Sequence, residues 1–283
     1  MEIGPLSLRV RDLDPMLEFY CKDLGLKMLR RDEEIVQLGS SATNTTPLLM
    51  LRHDPEAEKA PLDAAGLYHF ALLLPDRRSL AVAYLKIGDE GVVFDGYADH
   101  QVSEALYLTD PEGNGIEIYA DRPRNEWKFD EDDQVQMATQ PLDIDSLLKE
   151  LSGAKGKELA TIAEGTRMGH IHLKVTNLQR SLAFYRTTIG LDLMRYYGSA
   201  AFLSVGGYHH HLGMNTWESL DGPVMKKEWM GLEYIILNIP KEELSALASK
   251  LSDTPFLHGQ SADQLFVTDP DEIEIVIRSG ETS

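Results

Sequence analysis

The apolar and polar residues at the start of the chain alternate first with the period of a strand and then with that of a helix. The run LSLRV at residues 6–10 predicts a half-buried strand. Asp14 and Pro15 are predicted to supply the N-cap and a first-turn proline of the helix that follows. Gly25 stands where the end of that helix needs a left-handed residue. The helix itself is predicted from the spacing of Leu13, Leu17, Tyr20 and Leu24.

The same pattern returns 165 residues later, so the chain contains an internal duplication. GPLSLRVRDLDPMLEFYCKDLGLKM aligns without a gap on GHIHLKVTNLQRSLAFYRTTIGLDL, and GLYHFALLLP aligns on GLEYIILNIP at the same offset. A deletion then brings TDPEGNGIEIY opposite TDPDEIEIV. Repeats of this kind decide the architecture. We therefore predict two homologous halves, at residues 4–122 and 167–279, each built from two repeats.

Each predicted repeat consists of a strand, a helix and further strands. The four repeats span residues 4–53, 66–122, 167–218 and 230–279. Residues 123–166 break the pattern and are rich in charge, so we predict a connector there with one short helix, capped by Asp143 or Asp145. The predicted fold class is α+β, with four βαβββ units that form two cup-shaped mixed β-sheets.

Three residues with metal-binding side chains occupy related places in these repeats. His69 heads the apolar run of GLYHFALLLPD, and His170 heads that of GHIHLKVTN. Glu117, in TDPEGNGIEIYAD, lies near the end of the stretch that His69 opens. Two histidines and one carboxylate brought together form the facial set that holds divalent iron and leaves positions open for substrate and oxygen.

Composition and charge exclude some functions. The 283 residues include 27 Lys and Arg against 46 Asp and Glu, and this net charge of −19 disfavours nucleic acid or an anionic membrane as a partner. The single cysteine, Cys21, cannot form an internal disulfide. The N-terminus lacks the pattern of a signal peptide, and no run of 18 apolar residues occurs. We therefore predict a cytoplasmic protein.

The segments quoted above resemble those of the vicinal oxygen chelate superfamily, which includes glyoxalase I, fosfomycin-resistance proteins and type I extradiol dioxygenases. The resemblance spans all four repeats. GLYHFALLLPDR, DHQVSEALYLTDPEGNGIEIYADRPR and GGYHHHLGMNTW further resemble bacterial catechol-2,3-dioxygenase proteins of the bacillus type. The superfamily resemblance implies that two βαβββ units close into one cup, with metal ligands on the first and last strands of a unit.

If the ligands lie where this resemblance implies, the pairing of the repeats decides which of them meet in one site. The first-strand positions are Pro5, His69, His170 and Tyr234, and the last-strand carboxylates are Glu117 and Glu274. Only a crossed pairing, of repeat two with three and of repeat one with four, assembles His69, His170 and Glu117. We therefore predict one complete metal site, while the other cup offers only Tyr234 and Glu274.

Further site residues are implied by the extradiol resemblance. A histidine in a His-His-x-Leu context matches His210, which would take and return protons, and a register error of one residue would give this role to His209 or His211. Strand alternation predicts His210 on the face opposite these two neighbours. The segment DHQVSEALY resembles the extradiol segment in which a histidine and a tyrosine reach the substrate hydroxyls. These two residues are His100 and Tyr107 in this sequence. His172 shares the strand face of His170 and is an alternative ligand or a pocket residue.

The sequence thus predicts an Fe(II)-dependent extradiol dioxygenase of aromatic catabolism that acts on a catechol with O2 and can form a homo-oligomer. A second interpretation is a glyoxalase-like lyase or isomerase with Zn, Mn or Ni. Such sites have a second carboxylate as base, but histidines are expected where that glutamate would stand in repeat three. A third interpretation is a non-catalytic protein that sequesters a small molecule such as an antibiotic.

Overall fold

The computed structural model describes residues 1–43, 46–131, 134–152 and 162–280. The helices are α1 (Leu13–Leu17), α2 (Arg77–Asp89), α3 (Ile144–Leu148), α4 (Leu178–Ala183) and α5 (Lys241–Leu251). The π-helical segments Glu18–Asp23 and Phe184–Ile189 continue α1 and α4, and short 3₁₀ turns lie at Arg124–Glu126 and Lys149–Leu151. Residues 153–161, which belong to the predicted connector, lie outside the described residues.

Every repeat has the predicted order of one strand, a helix and three strands, and one additional short strand, β1, precedes the first repeat. In the first two repeats they are β1 (Glu2–Ile3), β2 (Leu6–Val10), β3 (Lys27–Arg31), β4 (Ile35–Gly39), β5 (Leu49–His53), β6 (Gly66–Leu73), β7 (Gly96–Asp99), β8 (Ser103–Thr109) and β9 (Gly115–Asp121). In the last two they are β10 (Arg167–Lys174), β11 (Asp192–Tyr196), β12 (Ala200–Ser204), β13 (Leu212–Asn215), β14 (Gly231–Ile239), β15 (Leu257–Gln260), β16 (Gln264–Thr268) and β17 (Glu274–Ser279). The predicted α+β class is confirmed.

These strands form two mixed sheets. One has the order β15-β16-β17-β14-β2-β5-β4-β3, with β1 beside β14, and the other has the order β11-β12-β13-β10-β6-β9-β8-β7. Repeats two and three therefore supply one sheet, and repeats one and four supply the other. This strand order is the predicted crossed pairing.

The backbone groups into two compact units. One unit comprises residues 1–9, 56–68 and 169–283; within it β10 pairs in parallel with β13, and β14 pairs in parallel with β17. The other comprises residues 10–55 and 69–168; within it β6 pairs in parallel with β9, and β7, β8 and β9 form an antiparallel meander. No helix among the described residues is long and apolar enough to span a bilayer.

The N-cap residue of the first helix lies two positions before the predicted one. Helix α1 starts at Leu13 with Asp12 as its N-cap residue, and the side chain of Asp12 makes no capping hydrogen bond. The carboxylate of Glu112 instead accepts hydrogen bonds from the backbone N–H groups of Arg11 and Asp12. The prediction of Asp14 as N-cap was therefore wrong, because a side chain distant in sequence satisfies the donors that a local cap would otherwise serve.

The other predicted helix signals are confirmed. Gly25 has φ 80° and Gly190 has φ 101°, the left-handed conformation expected where these helices end. In the connector, the side chain of Asp143 accepts a hydrogen bond from the backbone N–H of Ser146 and caps α3. Of the two predicted caps, Asp143 is therefore the one used.

A tyrosine and a buried aspartate form the same hydrogen bond in both halves of the duplication. The hydroxyl of Tyr20 donates to Asp110 over 2.7 Å, and that of Tyr185 donates to Asp269 over 2.9 Å. The other oxygen of Asp269 accepts from the backbone N–H groups of Asp271 and Ile273. Burial, the largest cause, raises the pKa of Asp269 from 3.8 to about 7.

This raised pKa predicts a pH dependence of stability. The folded protein keeps a proton on Asp269 that the unfolded chain has released, so the contribution is full below about pH 4 and is lost as the pH rises to about 7. One such group lowers the free energy of unfolding by up to about 1.4 kcal/mol per pH unit within this window. Urea unfolding from pH 5 to 8 should show a shallower decline in the free energy of unfolding for Asp269→Asn than for the parent protein.

The matched control is Asp263→Asn, which removes an exposed carboxylate from the same compact unit. The control should keep the slope of the parent protein. Equal slopes for the Asp269→Asn variant and the parent protein would show that Asp269 does not titrate in this window.

Candidate metal centre and active site

His69 and Glu117 are brought together by the parallel pairing of the first and last strands of repeat two. In the register of β6 and β9, His69 is opposite Gly115 and Ala71 is opposite Glu117. Because side chains alternate between faces, His69, Ala71 and Glu117 share one face of the sheet. The Nε2 atom of His69 lies 3.1 Å from Oε2 of Glu117, and both side chains are buried.

The opposite face of β9 carries the neighbouring isoleucines. Ile116 and Ile118 are buried there, next to Phe70 and Leu72 of β6 in the register. Both faces of β9 are therefore buried. This explains why the sequence IEIY could not show which residues face the site.

An apolar cluster surrounds the His69 and Glu117 pair. Ala71, Leu73, Ala105 and Tyr119 form a buried cluster, and Tyr107 packs against it. These residues lie on the face of β6, β8 and β9 that carries His69 and Glu117. Such surroundings lower the local dielectric and strengthen the interactions of charged groups within the site.

His170 completes a group of three ligand atoms. It lies on β10 and is 1% exposed. One nitrogen each of His69 and His170 and one carboxylate oxygen of Glu117 all lie within 4.8 Å of one another. In the part of the chain that the structure describes, no other three His, Cys, Asp or Glu residues meet this condition. Two imidazoles and one carboxylate are a donor set that divalent first-row metals accept.

His100 and Tyr107 are hydrogen bonded to each other next to His69. Nδ1 of His100 lies 2.7 Å from the carbonyl oxygen of Ala138, and Nε2 lies 2.6 Å from the hydroxyl of Tyr107. Because a carbonyl only accepts, Nδ1 carries the proton, and in the neutral ring Nε2 then accepts from the Tyr107 hydroxyl. The ring of Tyr107 lies 5.8 Å from that of His69. Both predicted residues are thus close to His69.

The three consecutive histidines lie in the loop between β12 and β13, not in a strand. Strand alternation therefore does not apply to them, and the prediction that His210 faces away from His209 was wrong. Nδ1 of His209 lies 2.7 Å from Nδ1 of His210, and both side chains are buried. The ring of His210 lies 4.1 Å from that of His170, and that of His209 lies 6.3 Å away. His211 differs, since its Nδ1 lies 2.7 Å from Oγ of Ser204.

His172 makes other contacts. Its Nε2 lies 3.0 Å from Nδ2 of Asn215, and the Oδ1 atom of Asn215 accepts from the backbone N–H of Trp217. The ring of His172 lies 5.2 Å from that of Tyr68 and 5.7 Å from that of Trp217. The three-ligand group contains His170 and not His172. Of the two possibilities for His172, this geometry favours a pocket residue.

The predicted second carboxylate position needs a correction. Glu274 is opposite Tyr234 in the register of β14 and β17, so it corresponds to Gly115 and not to Glu117. The position that corresponds to Glu117 is held by Val276. The sequence alignment had assumed a deletion in the turn, which brought the two IEI sequences together. In the structure the two turns correspond without a gap, so the residues after them are offset by two positions. Glu274 binds Lys227 over 2.8 Å and His258 over 3.1 Å.

Repeat three also lacks a carboxylate at this position. His172 is opposite Gly213 in the register of β10 and β13, which makes Gly213 the counterpart of Glu117. The sequence interpretation expected histidines there, but they lie in the loop that precedes β13. The glycine is required sterically, since a Cβ atom on it would lie 2.9 Å from Cγ of His172.

Four residues near the site were missed by the sequence interpretation: Tyr68, Phe202, Asn215 and Trp217 lie next to the predicted histidines. Asn215 and Trp217 occur in GMNTW, where an amide and a large aromatic residue end an apolar strand. That combination was the only signal available from the sequence.

Comparison with known proteins places this geometry in context. The family model described as the glyoxalase/bleomycin resistance protein/dioxygenase superfamily matches residues 2–118 and 167–277. A catechol-2,3-dioxygenase of Bacillus subtilis (strain 168) is 39% identical over 272 residues, which cover 95% of this chain and 93% of the relative.

Solved structures share the fold at low sequence identity. The cppA protein of Streptococcus pneumoniae TIGR4 superimposes with a TM-score of 0.63 at 13% identity, covering 99% of both chains. Glyoxalase I of Zea mays superimposes with a TM-score of 0.58 at 16% identity, covering 98% of this chain and 92% of the maize chain. These likenesses concern the fold alone.

Proposed function

The chain belongs to the glyoxalase/bleomycin resistance protein/dioxygenase superfamily, and we propose that it is an extradiol dioxygenase that cleaves the ring of a catechol-type substrate with O2. The observation that carries the proposal is the buried group of His69, Glu117 and His170 in a chain that is 39% identical to a catechol-2,3-dioxygenase over nearly its whole length. Neither finding alone specifies the chemistry. Together they join a donor set typical of non-haem iron oxygenases to a relative whose name states the reaction.

We propose Fe(II) as the metal, with His69, His170 and Glu117 as its ligands. Two imidazoles and one carboxylate suit this ion and leave further coordination positions open. When bound, the metal would supply Lewis acidity, orienting the catechol oxygens and withdrawing charge from them. The burial of all three ligands and the adjacent apolar cluster support a site from which bulk water is largely excluded.

His210 is proposed as the residue that accepts and returns a substrate proton. The 4.1 Å separation of its ring from that of His170 supports this role. In the contact between the Nδ1 atoms of His209 and His210, one ring donates and the other accepts. When His210 donates, its Nε2 is an acceptor and can take a catechol proton. His209 is proposed as a positioning residue, because it favours this tautomer of His210 when its own Nδ1 accepts.

Tyr107 and His100 are proposed to bind a substrate oxygen next to His69. The Tyr107 hydroxyl donates to His100, so its own oxygen can accept a hydrogen bond from a catechol hydroxyl. Once that hydroxyl has lost its proton, the Tyr107 hydroxyl can turn and donate to the oxygen instead. A donor directed at a developing negative charge stabilises it.

The alternative functions have less support. A lyase of the glyoxalase kind would use a second carboxylate as base, and Gly213 stands at the counterpart of Glu117 in repeat three. A protein that only sequesters a small molecule has no use for a buried group of three metal ligands. Both alternatives remain separable by metal analysis and oxygen uptake.

The ligand assignment predicts the effect of three substitutions on metal binding. His69→Ala and Glu117→Ala should each abolish stoichiometric metal binding, because two ligands hold the ion too weakly to retain it through purification. Glu274→Ala should keep the metal, since Glu274 binds Lys227 and His258 instead. Elemental analysis for iron, zinc, manganese and nickel on protein purified without air measures all three variants.

Glu274→Ala is also the matched control, because it removes a carboxylate from a corresponding last strand. Metal loss from the Glu274→Ala variant combined with retention by the Glu117→Ala variant would refute the assignment.

The proposed reaction predicts oxygen consumption that depends on His210. Protein loaded with Fe(II) should take up one O2 for each catechol cleaved and form a ring-opened semialdehyde. His210→Asn should lower kcat by about 10²–10⁴-fold, the usual contribution of a general acid or base, while the metal content stays the same. An oxygen electrode and the absorbance of the product follow both quantities.

His211→Asn serves as the control in the same loop, because the side chain of His211 bonds to Ser204. A large loss for His211→Asn with little change for His210→Asn would transfer the proton-carrying role to the neighbour. Bound zinc or nickel without oxygen uptake would favour the lyase, and protein without metal would favour sequestration.

A further inference from the structure

Four aromatic side chains pack together beside the proposed metal ligand His170. We call this group of Tyr68, His172, Phe202 and Trp217 the aromatic surface. The ring centroid of His172 lies 5.2 Å from that of Tyr68, 5.7 Å from that of Trp217 and 5.6 Å from that of Phe202. The centroids of Tyr68 and Trp217 are 5.3 Å apart. All four belong to one compact unit. None of them has a role in the reaction described above.

The register of three strands creates this surface. His172, Gly213 and Phe202 lie in one row across β10, β13 and β12, so they share a face. A Cβ atom on Gly213 would lie 3.0 Å from Nδ1 of His172 and 2.9 Å from Cγ. The absence of a side chain at Gly213 therefore leaves room for the ring of His172.

Hydrogen bonds hold the centre of the surface in a fixed orientation. The Oδ1 atom of Asn215 accepts from the backbone N–H of Trp217, so Nδ2 donates to Nε2 of His172. Asn215 is fully buried. His172 and the backbone of Trp217 are thereby tied to the same amide, and the surface is preorganised.

Part of the surface is exposed to solvent. Trp217 is 53% exposed, whereas Trp127 and Trp229 are each 8% exposed. Tyr197, 45% exposed, extends the surface with its ring 6.0 Å from that of Phe202. Partly exposed aromatic side chains next to a reactive centre are typical of a ligand-binding site.

The surface also reaches the proposed catalytic residues. The ring of Phe202 lies 5.0 Å from that of His210, and His210 lies 4.1 Å from His170. His172 is also two residues from His170 on the same strand face, a separation of about 7 Å. A substituent on a catechol bound near His210 would therefore extend over Phe202 and His172 toward Trp217.

We propose that the aromatic surface binds an uncharged aromatic substituent of the substrate, so that the protein prefers aryl-substituted catechols to catechol itself. The proposal rests on the proposed dioxygenase function and adds the substrate class. Faces and edges of four rings offer stacking and edge contacts to a flat group. Two cations lie near these rings, and both are engaged. Lys174 bonds to the carbonyl of Leu62 and lies 3.8 Å from Glu218, and the guanidinium of Arg195, opposite Phe202 in the register of β11 and β12, lies 5.2 Å from the ring centroid of Tyr197. The carboxylated probe in the test below measures whether either cation binds an acidic substituent.

The test compares three probes on protein purified with its metal and kept without air: catechol, 3-phenylcatechol and 3,4-dihydroxyphenylacetate. Calorimetry should show 3-phenylcatechol binding about tenfold or more tightly than the other two, which corresponds to one well-stacked ring. Trp217→Ala should weaken the binding of 3-phenylcatechol about tenfold and the binding of catechol less than about twofold. Trp217→Phe, which keeps a ring, should restore most of the preference.

Leu220→Ala is the matched control, because Leu220 is an apolar side chain 65% exposed in the same segment and outside the aromatic surface. It should leave the order of affinities unchanged. Quenching of tryptophan fluorescence by 3-phenylcatechol, present in the parent protein and lost in Trp217→Phe, would place the phenyl ring at this residue independently of turnover.

Equal affinity for catechol and 3-phenylcatechol, tightest binding of the carboxylated probe, or equal weakening of all probes by Trp217→Ala would each overturn the proposal. Oxygen uptake in air separates its failure from that of the proposed function. Cleavage of catechol without preference for the phenyl compound refutes the substrate class alone, whereas no oxygen uptake with any probe refutes the dioxygenase.

Discussion

The parallel pairing of the first and last strands within a repeat is the constraint on which the site depends. In repeat two it places Ala71 opposite Glu117, so that Glu117 and His69 share a sheet face with their ligand atoms 3.1 Å apart. A shift of one residue would turn Glu117 to the opposite face, where Ile116 and Ile118 are buried. The apolar residues on both faces of β9 oppose such a shift, and core packing therefore also fixes the ligand geometry.

The same register in the other repeats shows why the described residues of this duplicated chain hold one three-ligand group. The first-strand positions carry Pro5, His69, His170 and Tyr234, and the last-strand counterparts of Glu117 in repeats three and four are Gly213 and Val276. Where repeat two has a ligand, repeat three has a glycine that makes room for His172. The loss of a ligand and the gain of an aromatic surface are thus two consequences of one substitution in the repeat pattern.

The sequence predicted the features that depend on repeated local patterns. The four βαβββ repeats and the left-handed Gly25 and Gly190 follow from periodicity and duplication, whereas the meeting of His69 with Glu117 follows from the superfamily resemblance. It failed where the outcome depends on distant contacts or on strand register. Glu112 binds the backbone donors that the predicted cap of α1 would have served. Glu274 lies two residues before the position that corresponds to Glu117. The three consecutive histidines lie in a loop at 205–211, where strand alternation does not apply. The aromatic surface combines residues from four separate segments, and no local pattern could reveal it.

The proposed function requires that the group of His69, His170 and Glu117 support insertion of both atoms of O2 into an aromatic ring beside its diol. Mass spectrometry of the product formed under ¹⁸O₂ distinguishes this reaction from the alternatives, with the aldehyde reduced at once so that its oxygen does not exchange with water. We expect a ring-opened product that carries two labelled oxygen atoms, one in the new carboxylate and one in the trapped aldehyde. A product with one labelled atom or none, or an intact ring, would contradict it.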